Sequence, residues 1–251
     1  SVYIPGSDLS IDQRRIHAGC GANGSCLFSS VGQISYSTNS TYHAGQVTLS
    51  RRLRNGVSFQ PSYWYSKSLD YVSSMNVAGS APRLISGEND IAQNPFDLRA
   101  ERGPSIFDAR HRWTGSGTWQ IPFAKGASGL ARAIGAGWQL NAIATASSGT
   151  PFTVYDSANV SQQGSAPEIS GFYGSRPDLL SNPNSGPHSV NAWMSASSFL
   201  QLNPVTQAGQ FGNEGRNVLR GPGLVDLDLS MLKTWQISEE AHLQFRFEVF
   251  N

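Results

Sequence analysis

The chain has 251 residues, long for one ordinary domain but within reach of a single all-β barrel or sandwich. Charged residues make up only 14% of it, against about 25% in a typical soluble domain, and the formal net charge of +1 leaves no broad basic field for nucleic acid. Its 26 glycines, 13 prolines and 10% aromatics favour strands and turns over helices, and 2 cysteines cannot staple a chain of this size.

Ser1 to Ser10 lacks the basic start and apolar stretch of a signal peptide. No window offers the roughly 20 apolar residues of a spanning helix. The chain stops at Asn251 inside a strongly patterned segment, so the sequence reads as a fragment.

Period-two alternation dominates the rest. From Gly45, Val47, Leu49 and Leu53 share one face, with Gln46, Thr48, Ser50 and Arg52 on the other. Arg54-Asn55-Gly56 is a tight hairpin signal, because Asn-Gly readily takes the positive φ such turns need. The second run sets Val57, Phe59, Tyr63 and Tyr65 against Ser58, Gln60, Ser62, Trp64 and Ser66, with Pro61 awkward inside a ladder. The third, Arg112 to Phe123, puts Trp113, Trp119, Ile121 and Phe123 on one side. The fourth, from Gly137, aligns Trp138, Leu140, Ala142, Ala144 and Ala146. The fifth, Leu224 to Trp235, alternates Val225, Leu227, Leu229 and Met231 with Asp226, Asp228 and Ser230. The sixth, Ala241 to Asn251, sets Leu243, Phe245, Phe247 and Val249 against His242, Gln244, Arg246 and Glu248. A seventh strand is predicted around Val31 to Ser37.

The connections alternate in length. Short ones follow the first, third (Ala124 to Ala136) and fifth runs; long ones, Leu69 to Arg110 and Tyr155 to Gly223, follow the second and fourth. Unstructured loops beyond about 12–15 residues are uncommon unless functional, and here they leave from one end. Short turns on one rim and long loops on the other is the plan of an outer-membrane β-barrel. The fold expected is therefore an all-β, antiparallel up-and-down meander, part of a transmembrane barrel. Its apolar face would meet lipid, its polar face would line a lumen, and Tyr63, Tyr65, Trp119, Phe123, Trp138 and Trp235 would form interfacial girdles. A secreted β-sandwich, acting as an adhesin or carbohydrate-binding module, alternates too and stays open as the rival; a soluble hydrolase is a third reading. Strands in lipid must close on themselves, and bacterial single-chain barrels use at least about eight, so the barrel reading makes this chain part of a larger wall.

Asn94-Pro-Phe-Asp-Leu-Arg-Ala-Glu-Arg-Gly-Pro and Phe107-Asp-Ala-Arg-His-Arg-Trp resemble a stretch of the TonB-dependent receptors of the Oar-like kind, abundant in acidobacteria. Gly56-Val-Ser-Phe-Gln-Pro-Ser-Tyr-Trp-Tyr-Ser-Lys-Ser-Leu-Asp, Gly137-Trp-Gln-Leu-Asn and Ser148-Gly-Thr-Pro-Phe-Thr-Val are similar to that family. So is Phe211-Gly-Asn-Glu-Gly-Arg-Asn-Val-Leu-Arg-Gly-Pro-Gly, running into Val225-Asp-Leu-Asp-Leu-Ser, and the matches fall in order from about Tyr42 to Asn251. The resemblance implies a barrel of about 22 strands around an N-terminal plug, often behind a carboxypeptidase-regulatory-like domain. Residues 1–251 would be a late part of that barrel domain, without plug or final strands. It further implies location in the bacterial outer membrane, contact with lipid, a bulky substrate, and a TonB-type energy-transducing complex acting through the plug. The family is not enzymatic and carries no catalytic residues, metal or cofactor.

Cys20 and Cys26 (C-G-A-N-G-S-C) precede the first strand and suit a local disulfide in an oxidising compartment; adding His17 gives three metal-ligand types without a fourth. Asp108, Arg110, His111 and Arg112 form the densest ionisable cluster, read either as a ligand contact at a strand mouth or as an ion-pair network anchoring a loop. Asp226, Asp228, Arg246 and Glu248 are candidates for the lumen face or rim, with arginine pairing expected for the two aspartates. A triad of Asp108, His111 and a serine has no G-x-S-x-G elbow to serve it. The loop from Tyr155 to Gly223 is rich in Gly, Ser, Pro and Asn, with Trp193 and Phe199 as apolar anchors, and is expected to contribute to ligand capture.

Overall fold

A computed structural model describes residues 37–73, 92–94, 96–124, 126–156, 160–161 and 175–251, with 5, 13–14, 19, 25–26 and 158. Val31 to Tyr36, most of the predicted seventh strand, lies outside the described residues, and Ser37 is in no strand. The chain divides into two compact units. A sheet unit comprises His43–Lys67, Ala109–Gly149 and Pro222–Asn251; a loop unit comprises Ser1–Tyr42, Ser68–Asp108 and Thr150–Gly221.

The sheet unit is built from β1 (Thr41–Thr48), β2 (Arg51–Arg54), β3 (Val57–Asp70), β5 (His111–Gln120), β6 (Trp138–Ser147), β11 (Leu224–Gln236) and β12 (His242–Val249). The strand order is β1-β3-β5-β6-β11-β12, with β2 continuing the β1 side of β3, and the pairs β2–β3, β3–β5, β5–β6, β6–β11 and β11–β12 are antiparallel. Sequence neighbours are sheet neighbours, which makes a meander. The first predicted run is two strands rather than one. The break at Leu49–Ser50 lies where Leu49 N–H donates to Pro61 C=O (3.0 Å), so the ladder is interrupted beside the residue that has no N–H to give. Asn55 (φ 55°) and Gly56 (φ 80°) close the β2–β3 turn with the two positive dihedrals of a type I′ hairpin.

Register carries the alternation across the sheet. Tyr63 lies beside Trp113, Trp113 beside Ala146 and Ala146 beside Val225; Phe247 lies beside Met231 and Val249 beside Leu229. This apolar face is bare: Val47 is 70% exposed, Val225 74% and Phe247 54%. Fully burying one such side chain is worth about 1.5–3 kcal/mol, so a face this large requires an apolar neighbour. Among the described residues of this unit no second sheet covers it, contrary to what a sandwich core demands. The opposite face holds Ser62, Trp64, Thr114, Asp226, Asp228 and Ser230, buried or half-buried against one another. Ile143, 57% exposed, is an apolar residue on the polar side, opposite Asp228 and Ser116; Trp64 and the buried Leu232 lie on that side too.

Two boundaries differ from those predicted. The third strand ends at Gln120, leaving Ile121 and Phe123 in the connection. That connection contains a helix, α1 (Gly129–Gly135), which seven residues are too few to announce by periodicity. Gly137 (φ 79°) then returns the chain to the sheet so closely that a Cβ there would stand 2.5 Å from the Thr234 carbonyl oxygen.

The described parts of the long connections are folded. In the loop unit, β4 (Gly103–Pro104) pairs with the Leu69–Asp70 end of β3. β7 (Pro151–Phe152) pairs with β10 (Leu219–Arg220), and β8 (Asp178–Leu179) with β9 (Phe199–Leu200). Short 3-10 turns at Leu98–Glu101, Pro183–Ser185 and Ala196–Ser198 complete it. Among its described residues the buried apolar side chains are few, Ile106, Val160, Leu202 and Leu219 among them.

Candidate functional site

Two surfaces can do chemistry: the polar face of the sheet unit and the interior of the loop unit. The polar face is mostly hydroxyls and amides. Asn141 Nδ2 donates to Ser230 Oγ (3.0 Å), Gln139 Nε2 to Asn141 Oδ1 (2.8 Å), and Thr48 and Ser62 share a hydroxyl bond of 2.9 Å. A shallow hollow between Ser58, Gln60, Ser116, Thr118 and Asn141 opens on this side, with Arg51 and Arg52 at its edge. Such a surface offers neutral hydrogen bonds to whatever occupies the space in front of it.

Asp226 and Asp228 lie on this face, half-buried. The expected arginine partners do not appear: neither aspartate makes an ion pair among the described residues, and Asp226 Oδ1 is buried without a hydrogen bond. The reason is register, because their neighbours are Thr145 and Ile143 on β6. Arg246 and Glu248 share the polar face of β12 and pair with each other at 3.7 Å, both well exposed, a contact worth little.

The cluster Asp108–Arg112 is dispersed. The chain passes from the loop unit to the sheet unit between Asp108 and Ala109. Asp108 is buried in the loop unit, where it accepts from Ser68 N–H (2.7 Å) and pairs with Arg220. In the sheet unit, Arg110 has a buried Nε without a partner, although its carbonyl accepts from Ser66 N–H. His111 belongs to the aromatic belt: Nδ1 lies 2.7 Å from Tyr63 Oη and the ring 5.3 Å from that of Tyr65. Arg112 is exposed at the start of β5. No triad forms from these residues. Cys26 is disulfide-bonded; Cys20 and His17 lie outside the described residues. Trp193, half-buried, donates its indole N–H to the Arg220 carbonyl (2.6 Å), and Phe199 lies in β9.

Among the described residues, two buried arginine–carboxylate clasps and a third, part-exposed one hold the loop unit. Arg176 grips Glu101 with both terminal nitrogens (2.7 and 3.0 Å) and donates Nε to the Glu214 carbonyl (2.9 Å). Arg216 pairs with Asp70 and donates Nε to the Glu101 carbonyl (2.9 Å). Arg220 pairs with Asp108. Gln93 ties the first clasp, accepting from Arg176 N–H (2.7 Å) and donating its own N–H to Glu101 (2.9 Å). Asn217, in the left-handed region (φ 57°), donates to the Pro104 carbonyl and exchanges hydrogen bonds with Thr153. Gly103 and Gly212 are forced by contact: a Cβ would stand 2.3 Å from the Arg216 carbonyl oxygen and 1.9 Å from that of Arg176.

Glu101, Gly103 and Pro104 fall within 94–104, and Gly212, Glu214, Arg216, Asn217 and Arg220 within 211–223, while Arg176 and Gln93 come from outside both. Sequence reasoning missed the clasps, because the partners lie 75, 146 and 112 residues apart. Glu214 sits among them with Oε2 buried and unpartnered. Burial pushes its carboxyl up from 4.5 to about 7, against the opposing pull of the Val154 N–H and the Arg176 charge. Among the described residues no His, Cys, Asp and Glu gather into a metal site, and no helix is long and apolar enough to cross a membrane.

A family model described as "Outer membrane beta barrel domain" matches residues 5–251. Comparison with curated proteins and with solved structures returns no match.

Proposed function

The chain belongs to the outer membrane beta barrel domain family, and on that premise we propose that it is the barrel-wall segment of a TonB-dependent receptor of the Oar-like kind, moving a bulky substrate across the outer membrane. The observation that carries the proposal is the clasped loop unit. Its pairs draw Asp70, Glu101, Asp108, Arg216 and Arg220 from the stretches that resemble that receptor family, and the strands that feed the long connections end along one rim of the sheet. Tyr65 pairs with His111, Arg112 with Ser147, and Ser147 with Leu224, so the strand ends feeding the long loops are level.

The dimensions agree with a wall in lipid. β5 has 10 residues and spans about 31 Å at roughly 3.4 Å per residue. Tilted by about 40°, it rises about 23 Å, close to the roughly 25 Å apolar band of such barrels. Tyr63, Tyr65 and Trp113 mark one margin of that band and Trp119, Trp138 and Trp235 the other. Six neighbouring strands cannot close by themselves, so the wall is completed by others, toward the about 22 of plugged transporters. The polar face then looks onto a plug whose contact with a TonB-type complex delivers energy, and the loop unit offers the substrate its first contacts.

Uptake by cells carrying the full-length protein provides the test. Transport that stops on deletion of the energy-transducing complex, or on collapse of the inner-membrane proton gradient, is the expected result. Transport that continues at full rate in both cases would make the barrel a passive pore and overturn the proposal.

A further inference from the structure

The connection that holds α1 has a surface that the wall alone does not explain. Leu130 and Ile134 stand one helical turn apart, so they share a face, and they are 75% and 63% exposed. Phe123, just upstream, is 65% exposed. Gly135 approaches Ala124 so closely that a Cβ there would come within 2.8 Å of the Ala124 Cβ, which brings the Phe123 turn against the helix end. Three large apolar side chains in one connection are left bare. A turn facing water has no reason to carry them.

The helix is too short to persist by itself. What holds it is the aromatic margin of the wall. The indole N–H of Trp235 donates to the Ala133 carbonyl and that of Trp138 to the Ile134 carbonyl, both at 2.8 Å. These bonds satisfy carbonyls that the helix end leaves open. Both rings belong to the apolar face: Trp235 pairs with Leu243, and Trp138 lies two residues before Leu140, which pairs with Trp119. Lys233, between them in the sheet, is buried, with Nζ 5.6 Å from the centre of the Trp138 ring and 5.2 Å from that of Trp235. It makes no ion pair among the described residues. Its charge is held by ring faces beside the negative end of a helix, an arrangement that favours a cation.

We infer that α1 is an interfacial helix: it lies in the membrane surface at the rim of short turns and seats Phe123, Leu130 and Ile134 among the acyl chains of the adjoining phospholipid leaflet. The apolar patch is continuous with the lipid-facing wall through Trp138 and Trp235, which identifies the occupant as lipid rather than a protein partner. Arg132, the one charged residue of α1, is exposed and placed to meet headgroup phosphate. In barrels of this family's kind the short turns face the periplasm, so the leaflet is the inner one. The inference rests on membership of the barrel family and not on the transport proposal; loss of energy-dependent uptake leaves it untouched.

The test uses the full-length protein folded into vesicles of phosphatidylethanolamine and phosphatidylglycerol. Leu130→Cys and Ile134→Cys are labelled separately with an environment-sensitive fluorophore, so that if one variant misfolds the other decides. Asn55→Cys, in the β2–β3 turn of the same rim, is the reference. Lipids brominated near the headgroup end of the acyl chain are expected to quench the labels on α1 at least about threefold more than the label at Asn55, with emission shifted to the blue. Quenching equal to the reference, with emission at the wavelength found in water, would overturn the inference.

Discussion

The clasp between Arg176 and Glu101 can be broken with a change of only a few atoms. Glu101→Gln keeps the shape of the side chain and removes its charge. The carboxylate is 4% exposed and accepts three hydrogen bonds, from Arg176 Nη1 (2.7 Å), Arg176 Nη2 (3.0 Å) and Gln93 N–H (2.9 Å). An amide can accept only on its oxygen and turns an N–H2 toward the guanidinium, so at least one charge-assisted bond, worth about 1.5–3 kcal/mol, is lost. The larger effect is on Arg176, 3% exposed, which is left as a buried cation without a counter-charge. Breaking one side of a buried pair costs about 3–5 kcal/mol. Taking about 3 kcal/mol, opening of the loop unit becomes roughly 100-fold more frequent. Native-state proteolysis of the full-length protein in detergent reads this directly, since cleavage follows the population of the open form when closing is fast. Cleavage within the loop unit should rise about 100-fold while the wall stays resistant. Arg246→Gln, which breaks the exposed 3.7 Å pair on β12, should leave cleavage unchanged. A Glu101→Gln protein cleaved within threefold of the parent rate would refute the view that buried pairs, rather than the small apolar core, hold the loops.

Leu229→Arg places a charge on the lipid-facing side near the middle of the wall and should destabilise the folded barrel by about 2–4 kcal/mol, whereas Ser230→Arg, one residue along and on the opposite face, should cost far less. Urea titrations in vesicles distinguish the two; equal costs would mean the faces are misassigned. Glu214 titrates higher folded than unfolded, its carboxyl being raised from 4.5 to about 7 by burial. Folding therefore favours the protonated form. Its contribution to loop-unit stability is whole below pH 4.5 and fades as pH rises through 7. Thermal melts of the loop unit should fall in midpoint across that window, and Glu214→Gln should flatten the slope.

The wall was legible because its information is local. Alternation from Val57 to Tyr65 and from Leu224 to Trp235 names both strand and face, and Asn55-Gly56 names the turn between two strands. Where local rules compete, boundaries moved. Pro61 did not break β3, since the interruption fell on the neighbouring strand at Leu49–Ser50. The helix G-L-A-R-A-I-G escaped notice because one turn of apolar spacing resembles any loop; its anchors, Trp138 and Trp235, were read only as girdle residues. The clasps were invisible for a different reason. Arg176, Arg216 and Arg220 find their carboxylates by tertiary folding, and nothing in a composition rich in Gly, Ser, Pro and Asn marks one arginine as buried. The visible cluster at Asp108 to Arg112 misled by proximity in sequence, for the chain separates its members between two units.

One further bond in the loop unit has a practical consequence. Asp156 N–H donates to the Ser175 carbonyl at 2.8 Å, which holds those two residues side by side. Lengthening a closed excursion is thermodynamically mild, about 0.6 kcal/mol for each doubling. Foreign peptide inserted after Ser161 would spare the buried Val160 and leave Arg176 and its grip on Glu101 in place. The loop unit could thus serve as a display cassette, its cargo exchanged without retuning the scaffold.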